Sequence, residues 1–276
     1  MANEFVVKRA ESARREAGAY LAVGGNRMRL ITAELICLLT VMLYVLLYNA
    51  YDAARVALLP TDHSAYAVDI ALATGFDLTV LAVTLFVTVP LLCGLLRIAE
   101  RITVEREVTL TELFHSFSSK HAYARAVRLS CRCLWKLAVA AVAVRWIYGL
   151  ARMQTGDAYA AFGAVLAVVC ISFLALLWSA DGFYTAYFAY RNEDVSVRAA
   201  YRCSQQLSRN CRAAAWHFVL EYLLWLVLSV LTAGILLLAD VLPRILVSYF
   251  RFSEQIERAE ATETRLYQSE DIKDHE

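Results

Sequence analysis

Between Leu30 and Phe250, long apolar runs alternate with short polar segments, and arginine is concentrated on every second connection. The runs are Leu35 to Tyr51, Leu78 to Leu96, Leu137 to Val144 continuing to Leu150, Ala158 to Ala180, and Tyr222 to Ala239. Several approach or exceed the roughly 18 uncharged residues that mark a membrane-spanning helix. A helix resting on a soluble core would carry polar residues at every third or fourth position, and these runs carry almost none. Composition agrees, with 60% hydrophobic residues, 19% charged residues and a mean hydropathy of +0.50. The expected fold is all-α, a polytopic helical membrane protein.

The basic residues orient it. Lys and Arg number 6 before residue 31, 1 in 50–68, 7 in 97–133, 1 in 150–157 and 5 in 184–213. Basic segments resist translocation, so the N-terminus and the two long basic connections are expected in the cytoplasm. Residues 50–68 and the turn at Gln154-Thr155-Gly156-Asp157 then lie outside. The first 30 residues hold no apolar core of secretory type, so the first span is expected to act as an uncleaved membrane anchor.

The last apolar region, Ala213 to Phe250, would extend about 57 Å as one helix against a hydrocarbon core of about 30 Å. A turn at Thr232-Ala233-Gly234 divides it into spans near 214–232 and 235–251, the second holding Asp240, Pro243 and Arg244. The competing reading is one tilted span followed by an interfacial helix. Two spans bring the total to about six, in three hairpins, and return the tail to the cytoplasm.

Each hairpin follows a basic amphipathic stretch, near 5–28, 108–132 and 192–212. In the second, Leu110, Leu113, Phe114 and Phe117 are expected on one face. In the third, Val195, Ala199, Cys203 and Leu207 share a face, and Arg191, Arg198, Arg202 and Arg209 share another. Such helices either lie among headgroups, with arginines near anionic lipid, or pack on the inner ends of the spans. The domain division is a basic amphipathic segment at 1–30, a membrane domain at 31–252 and a charged cytoplasmic tail at 253–276.

Several short motifs recur through the membrane region. They are Pro90 with Gly94, Glu112-Leu113-Phe114 with Phe117, Ser204 with Trp225, Leu231-Thr232-Ala233-Gly234, Pro243, and Tyr249-Phe250. In these the chain resembles the bacterial integral membrane proteins catalogued as domain of unknown function 975. Ser208 and Asn210 stand where that family has Met and Gly, Glu221-Tyr222 where it has Ser-Phe, and Arg244 where it has Tyr. The resemblance implies a multi-span helical membrane protein and no particular activity.

Ionisable groups inside spans cost about 2.5–3.5 kcal/mol each on insertion scales, so they face protein or water. Asp77, Arg145, Asp240 and Arg244 form a candidate cluster expected in the outer half, with Asp77 paired to Arg145 and Asp240 to Arg244. Glu34, Asp181, His217 and Glu221 form a candidate inner polar group. Converging charges would serve a solute or proton path; pairs that only lock helices, or side chains snorkelling outward, are the simpler account. Pro90 and Gly94 allow a kink and a close helix approach. The tryptophans and the cluster Tyr184, Tyr187, Phe188 and Tyr190 read as an interfacial aromatic belt, with Trp225 deeper as a packing residue.

No metalloprotease, nucleophile-elbow or phosphate-loop signature occurs, and neither a cofactor nor a metal is implied. Cys131 and Cys133 would point to nearly opposite sides of a helix. The basic segments lack the spaced aromatics of a single-strand binder, so nucleic acid is not an expected partner. Expected partners are the lipid bilayer, with anionic headgroups, and a membrane protein or a second copy of the chain. The leading functional reading is a non-enzymatic structural, regulatory or assembly component. A small-solute transporter or permease subunit is the alternative, and a lipid-acting membrane enzyme built on Asp181, His217 and Glu221 is the third.

Overall fold

The computed structural model describes residues 2–58, 75–76, 78–80, 82–105, 108–153, 180–192, 194–231 and 237–273. Among these, every regular element is helical and no strand occurs. The helices are α1 (Ala2–Ala22), α2 (Asn26–Leu58), α3 (Val89–Glu105), α4 (Lys120–Met153), α5 (Thr185–Arg191), α6 (Val197–Leu231) and α7 (Leu242–Lys273). A 3-10 helix, Leu110–Phe117, links α3 to α4. Two helical stretches, Asn26–Ala54 and Leu78–Val104, are long and apolar enough to cross a membrane.

The chain forms two compact units. Met1–Glu16, Arg128–Leu228 and Ser248–Glu276 make the first, and Ala17–Val127 with Ser229–Val247 make the second. Four helices contribute residues to both, because the division falls inside α1, α4, α6 and α7.

In the second unit, Gly24 and Gly25 adopt positive φ between α1 and α2, which a side chain would resist. The core beneath that turn joins Ala17 and Leu21 of α1, Leu30 and Ala33 of α2, Leu91, Leu95, Ile98 and Ile102 of α3, and Leu113 and Val247. A π turn, Thr84–Thr88, precedes Pro90, and another, Leu237–Val241, precedes Pro243. Proline lacks an N–H and crowds the carbonyl four residues back, and the wider turn is one way a helix absorbs that fault. Tyr44 Oη bridges the hydroxyls of Thr84 (2.6 Å) and Thr88 (2.9 Å) on the first such turn.

The first unit is built on aromatic rings. Phe218 stacks on Phe252, Phe183 meets Phe218 and Tyr249 edge-on, and Tyr184 and Tyr187 are buried. The expected aromatic belt is therefore corrected at Tyr184 and Tyr187, whose rings fill protein core. Their signal was ambiguous, since tyrosine serves both places.

Three further expectations change. The 3-10 periodicity places Leu113 and Ser116 inside and leaves Phe114 and Phe117 exposed, so those two do not share the face of Leu113. In α6 the buried stripe runs through Ala200, Tyr201, Ser204, Leu207 and Ser208, while Cys203 is exposed and Val195 precedes the helix. The second and third basic stretches do not form separate helices before the spans. Most of the second continues into the apolar run as α4, and the third does so in α6, which kinks at Cys211 (φ −116°, ψ 25°).

Candidate functional site

Polar residues gather at two places, one in each unit. In the second unit, Arg27 lies just past the glycine turn at the start of α2. It donates to the Ala239 carbonyl (2.9 Å from Nη2) and to Asp240 Oδ1 (3.0 Å). Arg244 Nε reaches the same Oδ1 at 2.9 Å, one helical turn along α7. One carboxylate thus serves two guanidinium groups. The contact sets Asp240 and Arg244, expected as a pair, beside the start of α2 as well.

Below this pair, Arg97 Nε donates to Glu112 Oε2 at 2.6 Å, fixing the 3-10 helix to α3. Arg29 donates to the Val108 carbonyl at 2.6 Å. A Cβ on Gly94 would fall on the Leu113 carbonyl oxygen, with Leu113 C at 2.6 Å and Cα at 2.9 Å. Gly94 therefore serves a backbone-to-backbone approach rather than a hinge. Glu34 faces inward at 2% exposure, and neither carboxylate oxygen finds a partner among the described residues.

In the first unit, Glu254 is the hub. It accepts from Arg191 (3.2 Å), Arg251 (2.5 Å) and Arg258 (2.5 Å), and Arg251 also binds Glu16 of α1. Gln255 reaches Glu16 Oε1 at 3.0 Å. Tyr187 Oη donates to Glu257 Oε2 at 2.5 Å, and burial followed by this bond pushes its phenol well above the ordinary range. Residues 253–256 are thus packed against α1 and α5 rather than forming a free tail.

Of the other inner candidates, Asp181 and Glu221 each meet different cations in the first unit. Glu221 binds Arg14 at 3.0 Å. Asp181 binds Arg212 and lies 3.9 Å from Lys136, while its carbonyl accepts from Ser204 at 2.9 Å. His217 Nδ1 is buried with no partner among the described residues. Trp225 is 40% exposed, so it is not the buried residue expected at depth. Pro90 and Pro243 are fully buried. Asp77, Thr232 and Gly234 lie outside the described residues, and the side chain of Arg145 does too, although its backbone belongs to α4.

Arg27, Arg97, Tyr44 and Glu254 were not singled out from the sequence as site residues, and Tyr187 only as part of an aromatic cluster. Arg97 and Glu112 fall on different elements, and Arg27 and Asp240 are 213 positions apart. No spacing rule links such pairs. Among the described residues, no group of three His, Cys, Asp or Glu is placed to hold a metal ion. No protein-family model matches the chain, and neither a curated protein nor a solved structure does.

Proposed function

We propose that this chain is a multi-pass protein of the bacterial plasma membrane with a non-enzymatic structural, regulatory or assembly role. The observation that carries the membrane reading is exposure. Only 24% of the apolar window in Asn26–Ala54 is buried, and 35% in Leu78–Val104. Leu39, Met42, Val45 and Leu46 of α2 all face outward. Water penalises a large leucine or methionine by about 1.5–3 kcal/mol relative to burial, and so long a continuous apolar face fits lipid. The bacterial assignment rests on the resemblance to the 975 family. The structural role rests on Asp181, Glu221, Glu254 and Asp240, whose carboxylates are all engaged by cations.

The topology we favour keeps both termini in the cytoplasm and revises the last hairpin. Tyr222 Oη donates to Ser248 Oγ at 2.7 Å, and Glu221 beside it pairs with Arg14; with these groups at the inner surface, residues 223–247 are the part that enters lipid. The helical parts, 223–231 and 237–247, reach about 14 and 16 Å, half of a hydrocarbon core of about 30 Å. Helical parts this short suit entry from one side of a bilayer better than a crossing. Four crossings with one returning hairpin replace six crossings and leave the tail on the same side.

The test is fractionation and tagging. The protein is expected to stay with membranes in alkaline carbonate and to dissolve only in detergent, with tags after Pro60 and Ala200 in opposite compartments. Release by carbonate, or both tags on one side, would falsify the reading. The transporter alternative keeps one specific support, the buried carboxyl of Glu34 in the apolar stretch Asn26–Ala54, which has no partner among the described residues. If that reading holds, Glu34→Gln stops solute uptake by vesicles without lowering the amount of protein.

A further inference from the structure

Ten of the arginines described in the first unit fall into two sets. Arg14, Arg191, Arg212, Arg251 and Arg258 each meet a carboxylate. Arg128, Arg132, Arg198, Arg202 and Arg209 are exposed and meet none among the described residues. The second set is not scattered. Arg128 and Arg132 are one turn apart on α4, and Arg198, Arg202 and Arg209 follow at helical spacing on α6. The two rows are joined where the Arg132 guanidinium sits 4.6 Å over the ring of Tyr201, which Arg198 and Arg202 flank in sequence. Arg191, expected on this face, belongs instead to α5 and is neutralised by Glu254.

Like charges held together on two packed helices repel one another until a counter-anion arrives. Depth identifies the anion. Trp135, 43% exposed, lies one turn past Arg132, and the exposed Val139 lies one turn beyond that. An outward tryptophan followed by outward aliphatics marks the water–lipid boundary, which puts Arg132 at headgroup level. Guanidinium groups engage phosphate oxygens in pairs and are only weakly hydrated, so they suit a phosphodiester at that depth. Resting on the membrane reading above, we propose that the arginine face joining α4 and α6 binds anionic phospholipid headgroups, with Arg132, Arg198 and Arg202 at its centre. Zwitterionic lipid offers the same phosphate but carries its own cation, and the clustered arginines select against it.

The full chain, purified in dodecyl maltoside, is exposed to equimolar phosphatidylglycerol and phosphatidylcholine, and retained lipid is counted by native mass spectrometry. The wild type is expected to keep phosphatidylglycerol in excess. Each arginine replaced by glutamine is expected to weaken that binding by about fivefold. The triple variant R132Q/R198Q/R202Q therefore loses the preference, whereas the matching triple lysine variant keeps most of it. If the triple glutamine variant fails to fold, R198Q/R202Q at two exposed positions replaces it, with the same expectation. Unchanged selectivity in the glutamine variants overturns the proposal, as does a wild type without preference. Displacement of the lipid by inorganic phosphate, an acidic peptide or an RNA oligonucleotide at lower concentration also overturns it, and assigns the face to that anion. Failure of the membrane reading looks different, because the protein would then dissolve without detergent.

Discussion

Single atoms decide the strongest constraints in this molecule. Gly94 has no room for a side chain, because the obstacle is the Leu113 main chain and not a flexible tip. Gly94→Ala is expected to cost about 3 kcal/mol or more, at the upper end of overpacking penalties, read as a fall in the unfolding midpoint in detergent. Tyr187 provides a pH test. Its phenol is raised by burial first and by the Glu257 bond second, so the folded state holds that proton more tightly than the unfolded state does. The resulting stability is complete below the ordinary tyrosine value of about 10 and disappears as pH rises through the folded value. Thermal midpoints are expected to fall as pH rises above about 10, and Tyr187→Phe to flatten the fall. Glu254→Gln leaves three arginines facing a neutral amide. With Arg251 only partly exposed and Arg258 near solvent, the cost is expected to be about 1–3 kcal/mol, measurable by the same unfolding assay.

Among the elements, the decisive placement is the segment 237–247 beside the start of α2. Arg27→Asp and Asp240→Arg are each expected to lower stability by about 1 kcal/mol, in keeping with partly exposed pairs. The double exchange is expected to recover most of it; a double variant no better than the singles would separate the two segments. This placement was not legible beforehand. The apolar runs announced α2 and the 78–104 helix because lipid-facing residues need no partner, and periodicity reports exposure to one uniform solvent. Asp240 was legible as a costly charge and Arg244 as its neighbour one turn away, since helical spacing is local. Arg27 was not, because nothing local ties the two ends of a chain. Phe114 and Phe117 misled for another reason: 3.6-residue periodicity was assumed where a 3-10 turn repeats every three residues.

For the whole molecule, the returning hairpin makes a prediction that six crossings do not. A tag inserted at Gly234 is expected to be unreachable by antibody from outside intact cells, whereas one after Pro60 is reachable. Outside labelling at both sites would restore the sixth crossing. Orientation by charge bias reads the same from either topology, because a hairpin that re-emerges on its own side preserves parity. The two helices apolar enough to cross a membrane were legible in composition, whereas the proposed returning hairpin leans on one hydroxyl pair, Tyr222 and Ser248, that no local spacing announces.

The two helices that carry the basic face differ in stiffness. From Lys120 to Met153, α4 is unbroken, whereas α6 departs from helical angles at Cys211, just after Arg209. Pull applied where the arginines sit is therefore borne by one strut along its length and by the other through a joint. On the membrane reading proposed above, a tug at headgroup level would pass along α4 and be spent as bending at Cys211 of α6.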